Sequence, residues 1–145
     1  MIRTDRLELY MASDVSMKAA FAEMLAGCKA DPDQRKWYAV WFIRLKSGEI
    51  IGDYCFKGLS EDGVVEIGYG LYPTWWGKGY ATEAVIAAVN WAYEQPGVKM
   101  VEAETDIDNL ASKRVLEKVG FVPNGKMGEE GPRFVWKEKS YESGK

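Results

Sequence analysis

A strand, a glycine-containing turn and a helix follow one another between residues 64 and 95, and this unit constrains the fold more than any other part of the sequence. Residues 64–72 alternate apolar and polar side chains as a strand does, and Pro73 ends the strand. The turn leads into a helix whose apolar residues recur at helical spacing: Ala81, Ala84, Val85, Ala88 and Ala92. The first amides of a helix have no partners within it, and the helix dipole favours an anion there. Residues 77–81 are therefore predicted to form a phosphate-binding turn.

Two well-known phosphate-binding loops do not fit this turn. A Walker loop needs Ser or Thr after its lysine, and here Lys78 is followed by Gly79. A dinucleotide fingerprint needs a third glycine at position 82, which is Thr82. A tight turn without a ligand stays open as the alternative.

The rest of the chain predicts a single α+β domain over residues 1–145. Strands are expected at 6–10, 37–45, 50–57, 64–72, 98–106 and 133–137. One helix begins at Ser13 or Asp14 and ends at Gly27, a polar loop covers 29–36, and a last helix runs from Asn109 to Gly120. Hairpins come first and strand–helix units follow, which favours a mixed sheet covered by helices.

Composition narrows the class of function. No apolar run approaches the ~20 residues of a membrane span, and the first residues lack a signal region, so a cytoplasmic protein with no membrane partner is expected. A net charge of −3 without a long basic run argues against nucleic-acid binding. Six tryptophans and eight tyrosines are mostly core residues, although aromatic surface could support a homodimer.

The chain has no histidine and only two cysteines, Cys28 and Cys55, which are far apart. We therefore expect neither a metal site nor a disulfide framework. Any general base must be a carboxylate, a tyrosine, a lysine, a neutral terminus or a water. An acyl-cysteine route is disfavoured.

Several blocks, in order, resemble the GCN5-related N-acetyltransferase (GNAT) superfamily, and within it the branch of ribosomal-protein N-terminal acetyltransferases. The resemblance is strongest over residues 76–84 and 109–121, and it also covers residues 4–9, 50–52 and 65–69. Two positions depart from the family pattern. Trp76 stands where Gln or Arg is usual, and Leu116 stands where many members carry a tyrosine acid, so that role is not transferred.

The resemblance implies a twisted, mostly antiparallel sheet of six to seven strands with helices on both faces. Its fourth and fifth strands, at about 64–72 and 98–106, would splay apart to admit the pantetheine arm of acetyl-CoA. Main-chain groups of Leu71 and Tyr72 would pair with that arm, as a peptide strand pairs with a sheet edge. The implied cofactor-binding set is Leu71, Tyr72, Gly77, Lys78, Gly79, Tyr80, Ala81, Thr82, Asn109, Ser112 and Arg114.

The chemistry implied is direct attack of a neutral amine on the thioester, which requires a base for the amine and a donor for the thiolate. Glu66 is the first candidate for base or substrate anchor; the alternative is a solvated carboxylate or a partner for a lysine on the next strand. Ser112 is expected near the sulfur, or else it is simply a polar residue of the first helical turn. Asn109 can cap the helix and contact pantetheine at once.

The sequence thus predicts an N-acetyltransferase that moves acetyl from acetyl-CoA to a primary amine, on a protein N-terminus or a small molecule. Negative charge near the predicted pocket favours a cationic acceptor, and it comes from Asp53, Glu66, Glu102 and Glu104. Because Leu116 replaces the usual acid, a module that binds acetyl-CoA without turnover stays open. A nucleotide-binding protein of another fold is disfavoured by the failed loop comparisons.

Overall fold

Eight strands form one sheet in the computed structural model, which describes residues 1–136. The strands are β1 Ile2–Arg3, β2 Leu7–Met11, β3 Val40–Leu45, β4 Ile50–Leu59, β5 Val64–Leu71, β6 Met100–Glu104, β7 Val122–Met127 and β8 Pro132–Trp136. Their order is β1-β2-β3-β4-β5-β6-β8-β7, and only the β5–β6 pair is parallel. This confirms the predicted α+β class with a mixed, mostly antiparallel sheet.

Five α-helices lie within the described residues: α1 Asp14–Ala20, α2 Ala22–Ala30, α3 Arg35–Tyr38, α4 Tyr80–Tyr93 and α5 Leu110–Val119. Short 3-10 turns cover Pro32–Gln34 and Pro73–Trp75. The apolar stripe of α4 packs on Val65 and Ile67 of β5, and α5 adds the buried Leu116 to the same core. Helices α1 and α2 cover part of the other face, around Val40 and Phe42. In the part of the chain described, no helix has the length and apolarity that crossing a bilayer would need.

The predicted parting of two strands is present between β5 and β6. Val64, Val65 and Glu66 pair with Met100, Val101 and Glu102, and the pairing stops there. From residue 67 to 71, β5 pairs only with β4, so its side towards β6 has no strand beside it. We call this side of residues 67–71 the open edge, and the space between it and the first turn of α5 the split.

Several predicted elements differ in the structure. The first helix does not end at Gly27, because Phe21 separates α1 from α2 and Gly27 lies inside α2. A Cβ on Gly27 would lie 3.0 Å from Tyr38, so this glycine permits close packing rather than helix termination. The predicted loop 29–36 is largely helical, and α3 takes in Trp37 and Tyr38.

The eight strands are one more than the upper end of the six to seven expected, and two of them, the two-residue β1 and the edge strand β7, lie outside the six predicted strand positions. β7 was missed because its sequence, with Pro123 and Gly125, reads as a turn and its side chains are mostly exposed. The strand predicted at 98–106 is shorter, Met100–Glu104. The last predicted strand is present as β8, and its final predicted residue, Lys137, lies outside the described residues.

Candidate active site

The turn before α4 presents unpaired main-chain amides. Gly77 and Gly79 have φ of 77° and 82°, a left-handed backbone that favours glycine. The first amide of α4 bonded along the helix is that of Glu83, which donates to the Gly79 carbonyl at 3.1 Å. Within residues 1–136, no group accepts a hydrogen bond from the backbone N–H of residues 77–82. We call these six amides the amide cradle; together with the positive end of the helix dipole they suit an anion.

The start of the chain holds this turn in place. Arg6 donates from its backbone N–H and from Nε to the two carboxylate oxygens of Glu83, at 2.9 and 2.7 Å, and Thr4 Oγ1 donates to the same carboxylate. Nη1 of Arg6 donates to the carbonyl of Lys78 at 3.1 Å, and the guanidinium lies 4.3 Å from the centre of the Tyr80 ring. The guanidinium of Arg6, ion-paired with Glu83, is therefore fixed beside the amide cradle.

At the open edge, the Leu71 carbonyl lies outside the pairing with β4. Leu71 accepts a hydrogen bond at 2.9 Å from the indole Nε1 of the exposed Trp76. The Tyr72 N–H donates to the Ile51 carbonyl at 2.9 Å, and the Tyr72 carbonyl accepts from Trp75 N–H at 2.9 Å. Two residues were expected to pair with pantetheine. Leu71 points its carbonyl away from β4, towards the open edge. The N–H and the carbonyl of Tyr72 are both hydrogen-bonded within the protein.

Glu66 lies in a network of charges on the face opposite α4. One carboxylate oxygen accepts from Lys57 Nζ and the other from Arg133 Nη2, both at 2.9 Å, and Arg133 also bonds Glu102 at 2.8 Å and Glu104. Burial opposes ionisation of Glu66, but the hydrogen bonds from Lys57 and Arg133 outweigh it and lower its pKa. A low pKa and two cationic partners make Glu66 a weak base. The partner lysine was anticipated, whereas Arg133 was not.

Asp53 lies on the same face of the sheet and has a different environment. It is half-buried, and no hydrogen bond or ion pair reaches its carboxylate from residues 1–136. Burial raises its pKa above the usual value. Its neighbour across the strand pair is Gly70, and a Cβ added to Gly70 would contact nothing within 4 Å. A Cβ added to Gly68, on the same face of β5, would contact only the Lys57 side chain, at 3.7 Å. The sequence indicated Asp53 only as part of the negative charge near the predicted pocket, although a carboxylate within an apolar strand is a signal that could have singled it out.

Tyr69 crosses the split on the α4 face. Its hydroxyl lies 3.1 Å from Ser112 Oγ and 3.2 Å from the Ser112 carbonyl, and Asn109 Oδ1 caps α5 by accepting from the Ser112 N–H at 3.0 Å. Burial raises the pKa of Tyr69, and the Ser112 hydrogen bond partly offsets this. Leu116 is fully buried in the core. Ser112 therefore has a hydroxyl partner that the sequence did not reveal.

The remaining candidates contribute less to this geometry. The side chain of Lys78 is exposed beside the turn and that of Arg114 is exposed on α5, and Thr82 adds its backbone N–H to the amide cradle. Burial raises the thiol pKa of Cys55 and of Cys28, so neither is a ready thiolate nucleophile. Within residues 1–136 no three His, Cys, Asp or Glu side chains are grouped so that they could hold a metal ion.

Comparison with known proteins gives the same family as the sequence blocks. A profile described as the acetyltransferase (GNAT) domain matches residues 4–122. The uncharacterised N-acetyltransferase YjdG of Bacillus subtilis is 38% identical over 96 residues, which cover 65% of this chain and 57% of that protein. This chain thus spans little more than half the length of that relative.

Solved structures show the same fold at low sequence identity. The spermidine N-acetyltransferase SpeG of Vibrio cholerae aligns with a TM-score of 0.77 and 14% identity over 95% of this chain and 97% of that one. RimL, a ribosomal L7/L12 α-N-protein acetyltransferase, aligns with a TM-score of 0.74 and 19% identity over 92% of this chain and 94% of that one. The aminoglycoside acetyltransferase AAC(6')-Ib, in complex with coenzyme A and kanamycin, aligns with a TM-score of 0.70 and 20% identity over 94% of this chain and 98% of that one. With the profile match over most of its length, the chain belongs to the GNAT acetyltransferase family.

Proposed function

We propose that this protein transfers the acetyl group of acetyl-CoA to a primary amine by direct attack in a ternary complex. The observation that carries the proposal is the amide cradle at the start of α4, directly beyond the open edge of β5. A diphosphate needs several donors in a concave backbone, and a pantetheine arm needs an unpaired strand edge. Family membership supports the same chemistry, and the similar AAC(6')-Ib structure contains coenzyme A.

The cofactor would lie across the turn and the split. Its diphosphate would accept from the amides of residues 77–82, with Lys78 and Arg6 adding positive charge. Its pantetheine arm would run along the open edge from Leu71 towards the point where β5 rejoins β6. On the other side of the split, α5 offers polar side chains to the arm and to the outer phosphates: Asn109, Ser112 and Arg114.

The acceptor would approach from the opposite face of the sheet. On that face, β4, β5, β6 and β8 carry four carboxylates, those of Asp53, Glu66, Glu102 and Glu104, against two cations, Lys57 and Arg133. The excess of negative charge favours a cationic amine, for which Glu66 and its network form an acidic wall. Asp53 would take the proton from the attacking amine, directly or through one water, because β5 separates it from the open edge by one strand spacing of about 4.8 Å.

A thiol-release assay with a panel of amines tests this function. Spermidine, kanamycin and a peptide with a free N-terminus represent the acceptors named for the three structural relatives. We expect release of CoA with at least one amine, and none with the same compound after its amino groups are acetylated. The peptide also tests the predicted branch of ribosomal-protein N-terminal acetyltransferases. Tight binding of acetyl-CoA without release with any amine would contradict transfer.

The second candidate is a module that binds acetyl-CoA without turnover. It is favoured by the burial of Leu116 and by the two cations that neutralise Glu66. Calorimetry and the thiol assay, carried out on one preparation, separate the two functions. Binding alone supports the module, and binding with amine-dependent release supports the enzyme.

A further inference from the structure

We propose that the paired hydroxyls of Tyr69 and Ser112 protonate the departing thiolate, with Ser112 passing to the sulfur a proton that Tyr69 supplies. This inference rests on the proposed acetyl transfer. It assigns a proton donor for the departing thiolate. The position at which many family members carry a tyrosine acid holds the buried Leu116 here, which has no proton to donate.

The position of Tyr69 in the fold is the first argument. β5 parts from β6 after Glu66, and Tyr69 lies three residues further along, on the unpaired segment. Its hydroxyl reaches α5, at 3.1 Å from Ser112 Oγ and 3.2 Å from the Ser112 carbonyl. The amide cradle lies beyond Leu71, at the outer end of the split. A pantetheine arm that runs inward from the cradle therefore brings its sulfur towards the level of Tyr69.

Acid strength is the second argument. A serine hydroxyl ionises far less readily than a phenol, whose usual pKa is about 10, and an alkyl thiol has a pKa of about 8.5. Burial raises the pKa of Tyr69 above that usual value, and the hydrogen bond with Ser112 partly offsets the rise, so Tyr69 remains the stronger acid of the two hydroxyls. An acid works best when its pKa is not far from that of the group it protonates, which favours Tyr69 as the source and Ser112 as the carrier. Either hydroxyl can donate to the other at their observed separation.

The step balances in atoms and charge. The amine nitrogen bonds to the carbonyl carbon, the carbon–sulfur bond breaks, and the electron pair stays on sulfur. Sulfur takes the Ser112 proton while Ser112 takes that of Tyr69. The proton lost by the amine on the other face restores Tyr69 through solvent, leaving an amide and free CoA.

Other tyrosines of the described residues do not fit this role. The hydroxyl of Tyr54 is buried without a hydrogen-bond partner among aromatic core residues. The Tyr80 ring stacks against Arg6 and contacts Trp75 at the turn. Tyr54 lies directly opposite Tyr69 in the strand register, so it provides a matched control.

Kinetics of four variants test the assignment with the best amine of the panel. Tyr69→Phe should lower kcat about 100-fold, the lower end of the range for general acid catalysis, with the KM for acetyl-CoA within about twofold of wild type. Ser112→Ala should lower kcat about as much, because Tyr69 then has no carrier to the sulfur, and the double variant should be no slower than either single variant, because groups that act as one unit are not additive. The fall of wild-type kcat at high pH should be absent in Tyr69→Phe. Tyr54→Phe should turn over normally.

A measurement without any acceptor separates this inference from the function on which it rests. The ultraviolet absorbance of the thiolate gives the pKa of the thiol of bound CoA. Hydroxyl donors favour the charged form, so that pKa should be higher in Tyr69→Phe and in Ser112→Ala than in wild type, and unchanged in Tyr54→Phe. Equal thiol pKa and equal kcat in wild type and Tyr69→Phe would overturn the inference while leaving acetyl transfer intact. Bound CoA with a shifted thiol pKa but no amine turnover would instead count against the function.

Should Tyr69→Phe fail to fold, Ser112→Ala still decides the matter. Ser112 lies in the first turn of α5 and is only partly buried, and its backbone N–H is capped by Asn109 in either case. Full activity of folded Ser112→Ala, with an unshifted thiol pKa, would also overturn the inference.

Discussion

Residues 64–66 of β5 pair with β6 and carry a glutamate whose two oxygens are bonded to cations, whereas residues 67–71 have no strand at that edge. The second half also carries two glycines, of which Gly70 has open space above it, and a tyrosine that reaches across to α5. The ion-paired carboxylate of Glu66 belongs to the closed half. Asp53 lies opposite Gly70 in the open half and has no partner among residues 1–136.

Under the proposed function, this difference separates the roles of the two carboxylates. The hydrogen bonds and ion pairs of Glu66 link β4, β5, β6 and β8, and they occupy both of its carboxylate oxygens. The unpaired, half-buried Asp53 has a raised pKa and space above its neighbouring strand, which suits proton transfer. Substitutions in the two halves of β5 and at its neighbours test this difference.

The largest effect on activity is expected from Asp53→Asn. Loss of the base should lower kcat about 100-fold, with the dissociation constant of acetyl-CoA unchanged. Glu66→Gln is the matched substitution in the closed half, and it should cost less than tenfold in kcat. Steady-state kinetics and calorimetry on both variants make the measurement. If Glu66→Gln were the slower enzyme, the two roles would have to be exchanged.

The helices, strands and turns could be predicted from the sequence better than the side-chain contacts between distant strands. Signals confined to a few residues were sufficient for the caps at Ser13, Asn109 and Gly120, and for the glycine turn before α4. Contacts between distant strands were not readable, because register is set by the whole sheet. Tyr69 and Ser112 are 43 positions apart, and Arg133 is 67 positions from Glu66.

Arg6 should have the next largest effect on the cofactor. Arg6→Gln removes the charge beside the amide cradle and the bond to the Lys78 carbonyl, so the dissociation constant of acetyl-CoA should rise about fivefold, or about 1 kcal/mol. Arg3→Gln is the control, because Arg3 is exposed and its nearest contact to Glu8 is 3.7 Å. Calorimetry should find unchanged affinity for Arg3→Gln; an equal loss in both variants would mean that Arg6 acts only through general charge.

Ionisation of Glu66 should raise the free energy of unfolding, and ionisation of Asp53 should lower it. The folded-state pKa of Glu66 lies below its usual value of 4.5, so its stabilisation is present above that value and is lost as pH falls through the folded pKa. The pKa of Asp53 is raised in the folded state, so its ionisation destabilises the fold as pH rises through that pKa.

Urea unfolding at about pH 7 measures both effects. The free energy of unfolding of Glu66→Gln should be about 1–2 kcal/mol lower than that of wild type, and that of Asp53→Asn should be no lower than wild type. The deficit of Glu66→Gln should shrink towards about pH 3; a deficit independent of pH would show that the network stabilises by packing alone.

Calorimetric titration of acetyl-CoA into wild type, Gly77→Ala and Gly125→Ala tests the amide cradle most directly. Both glycines have left-handed backbones, with φ of 77° and 80°, and an added Cβ at either meets nothing within 4 Å, so the two substitutions carry the same strain of about 1–2 kcal/mol. Only the Cβ of Gly77→Ala would project beside the amides of residues 77–82. We expect the dissociation constant to rise at least tenfold, about 1.4 kcal/mol, in Gly77→Ala and to stay at the wild-type value in Gly125→Ala. Equal affinity in all three proteins, or no binding by wild type, would contradict the proposed role of the amide cradle.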